Sequence, residues 1–518
     1  MATSVIVSAA EGYSETIITP RGIKIIDHFP STDSVTINQQ RLASVNSMIP
    51  WTPPVPLEAT FTLHSRPGAS KTIYLDFDGH IGFEGAYTPY DLDGDDRSFS
   101  DAELIDIQKV WTSVVEDFLP FDVNITTEDP GPEALRNTGD GDTEWGIRVV
   151  VDGSNIWCSY GSWAYVGSFD EDTDYEAYIC MKPNHWLDIA DSISHEVGHS
   201  LGLHHDGPGY YEGHGVEGSD TYWTPIMGWT SYFGVSTWSK GEYSMSNNDQ
   251  DDLEIITTEN GFSYRVDDHG SIMEEASFID VNSALINEGN IEQNSDVDFF
   301  EFTTNETGTI ALLIQPDILA ANLDIEAKLF DSSGTVISTS NPATKLHAEF
   351  DITLNAGTFY LSVEGTGYDD PESEGYSDYA SLGYYSITSL SPFSCSQGCF
   401  SFDIDLDEKL EADALTDGLL VIRHLFGFSG DSLISGAISN GATRQEAEEI
   451  TSYLSDAESE LDIDGDGEAG ALTDGLLLIR YLFGFSGDSL ISGAVSENAQ
   501  RTTAEQIEAY ISERIPAI

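Results

Sequence analysis

Between positions 195 and 206 the chain reads His195-Glu196-Val197-Gly198-His199-Ser200-Leu201-Gly202-Leu203-His204-His205-Asp206. On an α-helix, residues four apart lie on one face, about 6 Å apart along the axis. His195 and His199 can therefore both place a ring nitrogen on one Zn²⁺, at about 2.0–2.1 Å. Glu196 projects beside them and can reach a water on the metal rather than the metal itself. Gly202 sits where the helix would end in a left-handed turn, a conformation that costs glycine little. The chain can then fold back and deliver His205 as a third ligand. Three neutral imidazoles leave one position open, the arrangement of a catalytic rather than a structural zinc. The expected chemistry is hydrolysis, with a zinc-activated water attacking a carbonyl. Glu196 takes the proton as general base and hands it to the leaving amine. His204 lies next to a ligand but out of phase, and reads as a supporting or solvent-facing histidine.

A second set of residues has calcium chemistry. Asp462, Asp464 and Asp466 stand at loop positions 1, 3 and 5, with Gly467 at position 6 for a sharp turn. Glu468 at position 7 offers its backbone carbonyl. The closing acid, Asp474, stands one residue beyond the EF-hand position, which Thr473 holds. These five residues are expected to hold a structural Ca²⁺. The surrounding sequence is duplicated. Residues 415–439 and 472–496 match at all but three of 25 positions, at an offset of 57. By that offset Asp405, Asp407, Asp413 and Asp417 form a weaker calcium set, with Lys409 in place of Asp466. In the alternative reading, Asp403, Asp405 and Asp407 form a shifted site. Asp91, Asp93 and Asp95 alternate in the same way without a clean closing acid, and read as a solvated turn.

The elements that must position these groups fall into blocks. Residues 1–58 are polar, weakly patterned and Pro-rich at the end, and read as a leader or pro-like segment without a cysteine to silence a metal. Residues 59–268 alternate strands (71–77, 121–126, 147–151, 164–169) with helices. A capping box at Ser100 and Glu103 opens a helix to about 118, and a second helix spans 188–203. Residues 269–392 carry short strands separated by Gly, Asn and Asp, the pattern of an antiparallel β-sandwich. Residues 393–402 read as a linker. Residues 403–518 hold the two loop–helix–helix repeats, a small all-α unit. The fold class is thus multidomain: an α/β (α+β) domain, a β-sandwich and an EF-hand-like repeat domain.

Composition narrows the partners. Of 518 residues, 90 are Asp or Glu and only 20 Lys or Arg, giving a formal net charge of −70. That excludes a nucleic-acid partner, because phosphate demands a basic face. Aromatic residues at 11% are too many for a disordered acidic chain, so real cores are expected. No apolar run is long enough to span a membrane. The four cysteines fall into two local pairs, Cys158 with Cys180 and Cys395 with Cys399, which suit disulfides in an oxidising compartment. Together these imply a secreted, extracellular monomer.

The zinc motif resembles that of the metzincins, zinc endopeptidases with H-E-x-x-H-x-x-G-x-x-H followed by a methionine turn. Asp206 after the third histidine is similar to the adamalysin/reprolysin branch. The turn would be Pro225-Ile226-Met227-Gly228, with Met227 as an apolar floor under the histidines. The resemblance implies a protein or peptide substrate bound as an added strand, along either 165–168 or 177–181. Trp229 stands where related families place a tyrosine ligand, and Tyr232 is a weak substitute. Residues 269–392 resemble a bacterial pre-peptidase C-terminal domain, through Asp296-Val297-Asp298-Phe299-Phe300 and 356–363. The repeats resemble dockerin calcium repeats, which implies a cohesin-like or cell-surface partner for 403–518. The expected function is a secreted zinc-dependent endopeptidase. The alternatives are a component docked into a surface or polysaccharide-degrading assembly, or an adhesive calcium-binding protein with a vestigial zinc site.

Overall fold

The structure, a computed structural model, describes residues 4–8, 13–28, 51–82, 85–139, 141–153, 161–180, 185–207, 211, 213–215, 219–228, 234–244, 246–281, 285–304, 307–395, 400–406, 412–439, 442–458, 460–496, 498–512 and 514–515. Cys158, Cys399, Asp407, Lys409, Trp229 and Tyr232 lie outside these. The chain is a β-rich, multidomain α/β protein.

The N-terminal part is organised around one sheet. Its strands are β1 (Ser4–Ser8), β2 (Tyr13–Thr19), β3 (Gly22–His28), β4 (Lys71–Asp76), β7 (Asn124–Thr126), β8 (Trp145–Val151), β9 (Ser162–Tyr165) and β10 (Glu176–Ile179), while β5 (His80–Ile81) and β6 (Ala86–Tyr87) pair separately. The order across the sheet is β1-β2-β3-β9-β10-β8-β4-β7. Strands β7, β4, β8 and β10 run parallel, and their apolar faces are buried on both sides. Helix α1 (Asp101–Phe118) crosses over between β4 and β7 and opens with the expected capping box. The Ser100 hydroxyl accepts from the Glu103 amide while the Glu103 carboxylate accepts from Ser100. Helix α2 (Trp186–Ser200) packs against α1 and the sheet through Ile189, Ile193 and Val197, all buried.

One departure from the sequence reading matters for the site. Within residues 1–58, read as a weakly patterned leader, residues 13–28 fold as the hairpin β2–β3 around Pro20 and Arg21, and β3 adds antiparallel to β9. Strand β10 is paired on both sides, so 177–181 cannot serve as an edge. Without the hairpin, β9 is the edge.

Beyond β11 (Trp223–Pro225), β12 (Val235–Thr237) and α3 (Asp252–Glu259), two sheets face each other. One has the order β13 (Ser277–Phe278), β15 (Val297–Thr304), β20 (Gly357–Gly365), β17 (Ile325–Asp331), β18 (Val336–Ser340). The other is β14 (Leu285–Ile291), β21 (Gly383–Cys395), β16 (Gly308–Pro316), β19 (Ala348–Leu354). Burial alternates along β15 and β17, as a sandwich with one dry face per sheet requires.

This sandwich is continuous with the α/β part, sharing one hydrophobic core. At the junction Asp117, buried at the end of α1, accepts from Ser194 Oγ of α2 (2.5 Å) and from Asn322 Nδ2 of the sandwich (2.8 Å). Burial pushes its carboxyl up to about 6, against those two hydrogen bonds. Glu116 accepts from the Tyr384 amide, and Tyr379 Oη donates to Asp251 at the start of α3.

The tail has its own core. Helices α4 (Asp417–Leu425), α5 (Asp431–Ile434) and α6 (Ala447–Asp456) form the first repeat. Helices α7 (Asp474–Leu482), α8 (Asp488–Ile491) and α9 (Ala504–Ser512) form the second. Phe402, read from the sequence as linker, is fully buried in this core, and its amide donates to Arg514 O.

Asn322→Ala should test the junction. It leaves Asp117 Oδ1 buried without its donor and should cost about 1–3 kcal/mol by equilibrium denaturation. An unchanged midpoint would mean that the sandwich does not support α2.

Candidate functional site

Helix α2 delivers His195, Glu196 and His199 from its last turns, and all three are buried. The Leu203 amide donates to Gly198 O and the Gly202 amide to His199 O, closing the helix. Gly202 takes φ +102°, which a side-chain-bearing residue would resist, and the chain turns back to bring in His205. His204 is exposed, its backbone held by Asn248 and Gln250.

The geometry fixes the imidazole tautomers. His195 Nδ1 lies 2.9 Å from Ile226 O and His199 Nδ1 lies 2.8 Å from Leu203 O. A carbonyl only accepts, so both Nδ1 atoms carry the proton and both Nε2 atoms present lone pairs. Met227 is buried against helix α2, with its Sδ so close to Gly198 that a Cβ there would sit 2.4 Å from the sulfur. The turn at Ile226–Met227 is pinned by the Asp206 amide donating to Met227 O (2.9 Å) and by the Gly228 amide donating to Pro225 O. Asp206 in turn accepts from Tyr243 Oη, and burial pushes its carboxyl up to about 7.

The fourth group at the site was not foreseen from sequence. Asp27 of β3, with no exposed surface, places its carboxylate 3.1 Å from His205 Nε2, 3.3 Å from His199 Nε2 and 3.6 Å from His195 Nε2. His199 Nε2 is 3.0 Å from His205 Nε2. Ligands of a tetrahedral zinc at about 2.0–2.1 Å lie about 3.3–3.4 Å from one another. These spacings bracket that value, so the three imidazoles and the carboxylate could hold a tetrahedral divalent ion, with donors that suit zinc. Burial raises Glu196 well above the usual range, and the Asp27 carboxylate raises it further. Neither Glu196 oxygen has a hydrogen-bond partner. The local signal for Asp27 is a hairpin pattern, Ile17 and Ile18 before and Ile23 and Ile25 after a Pro-Arg-Gly turn, within a segment read as a leader.

The calcium-type loops are placed as follows. In the second repeat Asp462 accepts from the amides of Gly465, Asp466 and Gly467, and Asp464 from Asp466 and Ser496. Asp466 accepts from Glu468, which is exposed. Asp474 is saturated by the amides of Ile463, Asp464 and Gly470 and by Thr473 Oγ1, so it closes the loop through backbone rather than through an open face.

The first repeat corrects the 57-residue alignment of its loop. Asp417 accepts from Ile404 and Asp405, as Asp474 does from Ile463 and Asp464. Asp405 accepts from Ser439, as Asp464 does from Ser496. The first loop is therefore two residues longer. Asp403 and Asp405 occupy the places of Asp462 and Asp464, and the carboxylates of Asp403, Asp405 and Asp417 converge. Asp413 is exposed and contributes backbone only, its amide donating to Asp417 and its carbonyl accepting from the Gly418 amide. In the loop at Asp91 and Asp93, the missing closing acid is Glu103 of the capping box, which also accepts from the Leu92 amide. Cys180 is disulfide-bonded, and Cys395 ends β21.

A further acidic group joins the α/β part to the sandwich. Asp267, Asp268, Glu292, Asp296 and Asp298 converge, with Glu292 and Asp298 fully buried. Burial foremost, then the neighbouring acids, pushes Glu292 up to about 9 and Asp298 up to about 8. Arg265 lies 3.6 Å from Glu292.

No family model matches the chain, and no curated protein matches it. Among solved structures, the pre-peptidase C-terminal domain of a Bacillus anthracis collagenase is similar at 18% identity. It covers 23% of this chain and 99% of that one, with a TM-score of 0.18. A xylanase from Cellvibrio japonicus in complex with xylopentaose is similar at 10% identity, over 26% of this chain and 27% of that one, with a TM-score of 0.14. Both likenesses are partial and weak, and the account of the site rests on its geometry. No described helix is long and apolar enough to cross a membrane.

The acids at the junction set a pH dependence. Their folded values lie above the unfolded ones, so the folded state favours their protonated forms. The stability they lend is present in acid and lost as pH rises through 8 and 9. In chelator the melting temperature should therefore fall from about pH 6 to pH 9, and Asp298→Asn should flatten that fall. Added millimolar calcium should raise the melting temperature more at the alkaline end. A profile equally steep in Asp298→Asn would assign the loss elsewhere.

Proposed function

We propose that this chain is a zinc-dependent endopeptidase of the metzincin type. The observation that carries the reading is the convergence of His195, His199 and His205, whose ligand atoms lie within 4.8 Å of one another, with Glu196 buried in the same helix and Met227 packed on its Gly198. When bound, a zinc ion at this site supplies Lewis acidity, polarising a peptide carbonyl and acidifying a water. Glu196 is the base: its oxygens have no competing donor, and its burial gives it the proton affinity to accept a proton and return it to the leaving amine. Ile226 O and Leu203 O hold two imidazoles in the metal-binding tautomer. Strand β9, whose outer backbone is free to pair once β3 is gone, supports binding of an extended polypeptide by strand addition. The disulfide at Cys180 and the acidic surface fit secretion, with calcium in the acidic loops as a structural ion.

Glu196→Ala should lower kcat/KM on casein-derived peptides by about 10²–10⁴-fold, with the zinc content unchanged. Cleavage that survives in pure mutant protein would remove this mechanism.

A second reading, of the tail as a docking module for a cohesin-like partner, is favoured by one observation. The repeats expose the same apolar side chains in duplicate: Leu415, Phe426 and Phe428, and Leu472, Phe483 and Phe485, each 47–69% exposed. Phe428→Ser with Phe485→Ser should abolish capture of an immobilised cohesin domain without changing peptidase activity. Capture of neither the parent chain nor the variant would dismiss docking.

A further inference from the structure

We infer that the large sheet carries a second binding site, a pocket at Asp76 that takes a basic side chain, arginine or lysine, of a bound polypeptide. Helix α2 with its histidines lies against the opposite face of the sheet, so the pocket is separate from the candidate zinc site.

Side chains alternate across a strand, so β4 and β8 can serve the core with one face and a ligand with the other. Ile73 and Leu75 of β4 and Ile147, Val149 and Val151 of β8 join Ile189 and Ile193 of α2 in the core. Tyr74, Asp76 and Arg148 alternate with them and line a cavity of about 530 Å³ on the other face. Strand β5 adds His80 and Ile81 to its wall. Asp129 and Pro132 enter from beyond β7, and Asp174 from just before β10.

Charge points to a cation as the occupant. Asp76, Asp78, Asp129 and Asp174 share this cavity with a single guanidinium, that of Arg148. It donates to Asp76 Oδ2 (2.8 Å) and to Asp174 Oδ2 (3.2 Å), and lies 3.9 Å from Asp129. His80 adds no charge near neutral pH, because burial and then the charge of Arg148 pull its imidazole down to about 4. Burial pushes the Asp76 carboxyl up to about 7 in spite of Arg148, and the neighbouring Asp78 adds to the rise. One guanidinium therefore leaves the group under-compensated.

A second observation is independent of the number of acids. Asp76 is only 2% exposed, yet its Oδ1 has no hydrogen-bond partner, and neither has Oδ1 of Asp174. A bare carboxylate oxygen out of water is costly, so it favours a ligand that brings donors. A guanidinium or ammonium brings several N–H donors and no acceptor. The cavity is far larger than one metal ion needs. Ile81, 86% exposed, and Pro132 offer apolar surface to the methylene stem of a long cationic side chain. With 20 Lys and Arg against 90 Asp and Glu, this chain is electrostatically complementary to a partner rich in basic residues.

The test is a ligand-observed NMR titration of the full-length chain at low salt. Its probes are N-acetyl-arginine amide and the citrulline analogue, which keeps the shape and lacks the charge. The arginine compound should bind at least about tenfold more tightly than the citrulline compound, and Asp76→Asn should remove at least about tenfold of that affinity. Because Asp76→Asn also loosens Arg148, a second variant works on the exposed rim. Asp78→Asn with Asp129→Asn should weaken arginine binding about threefold. Glu372→Gln with Glu374→Gln removes as much charge from the exposed surface of the sandwich and should change nothing. Equal binding of the two compounds, or no binding of the arginine compound to the parent chain, would overturn the assignment. So would arginine binding untouched by both pocket variants, or weakened as much by the sandwich variant. A calcium ion that fills the pocket and excludes the arginine compound would also overturn it.

Discussion

Four donor groups aimed at one point, three of them buried and the fourth half-buried, cannot coexist by themselves. The carboxylate lies 3.1–3.6 Å from the three imidazole Nε2 atoms, His199 Nε2 lies 3.0 Å from His205 Nε2, and two of the nitrogens are held as bare lone pairs by carbonyls behind them. Lone pairs at that spacing, out of water, repel unless a cation or protons sit between them. Much of the surrounding structure keeps them there. Helix α2 sets two imidazoles four residues apart, and Gly202 reverses the chain for the third. Ile226 O, beside Met227, orients His195, and the β2–β3 hairpin brings Asp27 to the three imidazoles.

The same theme recurs in the scaffold. Depletion of basic residues means that buried acids here seldom meet a lysine or arginine; Arg148 beside Asp76 is an exception. Most are held by backbone amides, hydroxyls or one another. Asp117 ties α1, α2 and the sandwich into one body through neutral donors. Asp417 and Asp474 clamp their loops through amides in the same way. The remaining convergent acids, at Glu292 and at Asp403, stay compatible with folding through protonation or through a cation. The acidic sequence and the metal-dependent character of the account therefore have one physical origin.

What could be read in the sequence was what depends on short spacing. The His195–His199 pair, the capping box at Ser100, the turn at Met227 and the alternating strands 298–302 and 359–363 are local patterns, and the folded chain places them accordingly. Residues acting across long separations were not legible. Asp27 joins the histidines only because β3 lies against β9, and no local pattern encodes that pairing. The junction acids Asp267 and Glu292 meet only when the sandwich docks. The loop at Asp403 falls out of the alignment because the 57-residue offset holds only as far back as Glu411, matched by Glu468, and the first loop carries two extra residues upstream of it. Strand β14, LINEGNI, carries no period-two alternation to read, whereas β19 alternates Ala348, Phe350, Ile352 and Leu354 with polar residues and is legible.

X-ray absorption at the zinc edge of the full-length chain, purified without chelator, tests the central claim most directly. The account predicts one zinc per chain with three imidazole nitrogens at about 2.0–2.1 Å and one oxygen at a similar distance. A protein that holds no stoichiometric metal, or one whose zinc shell lacks imidazole, would contradict it.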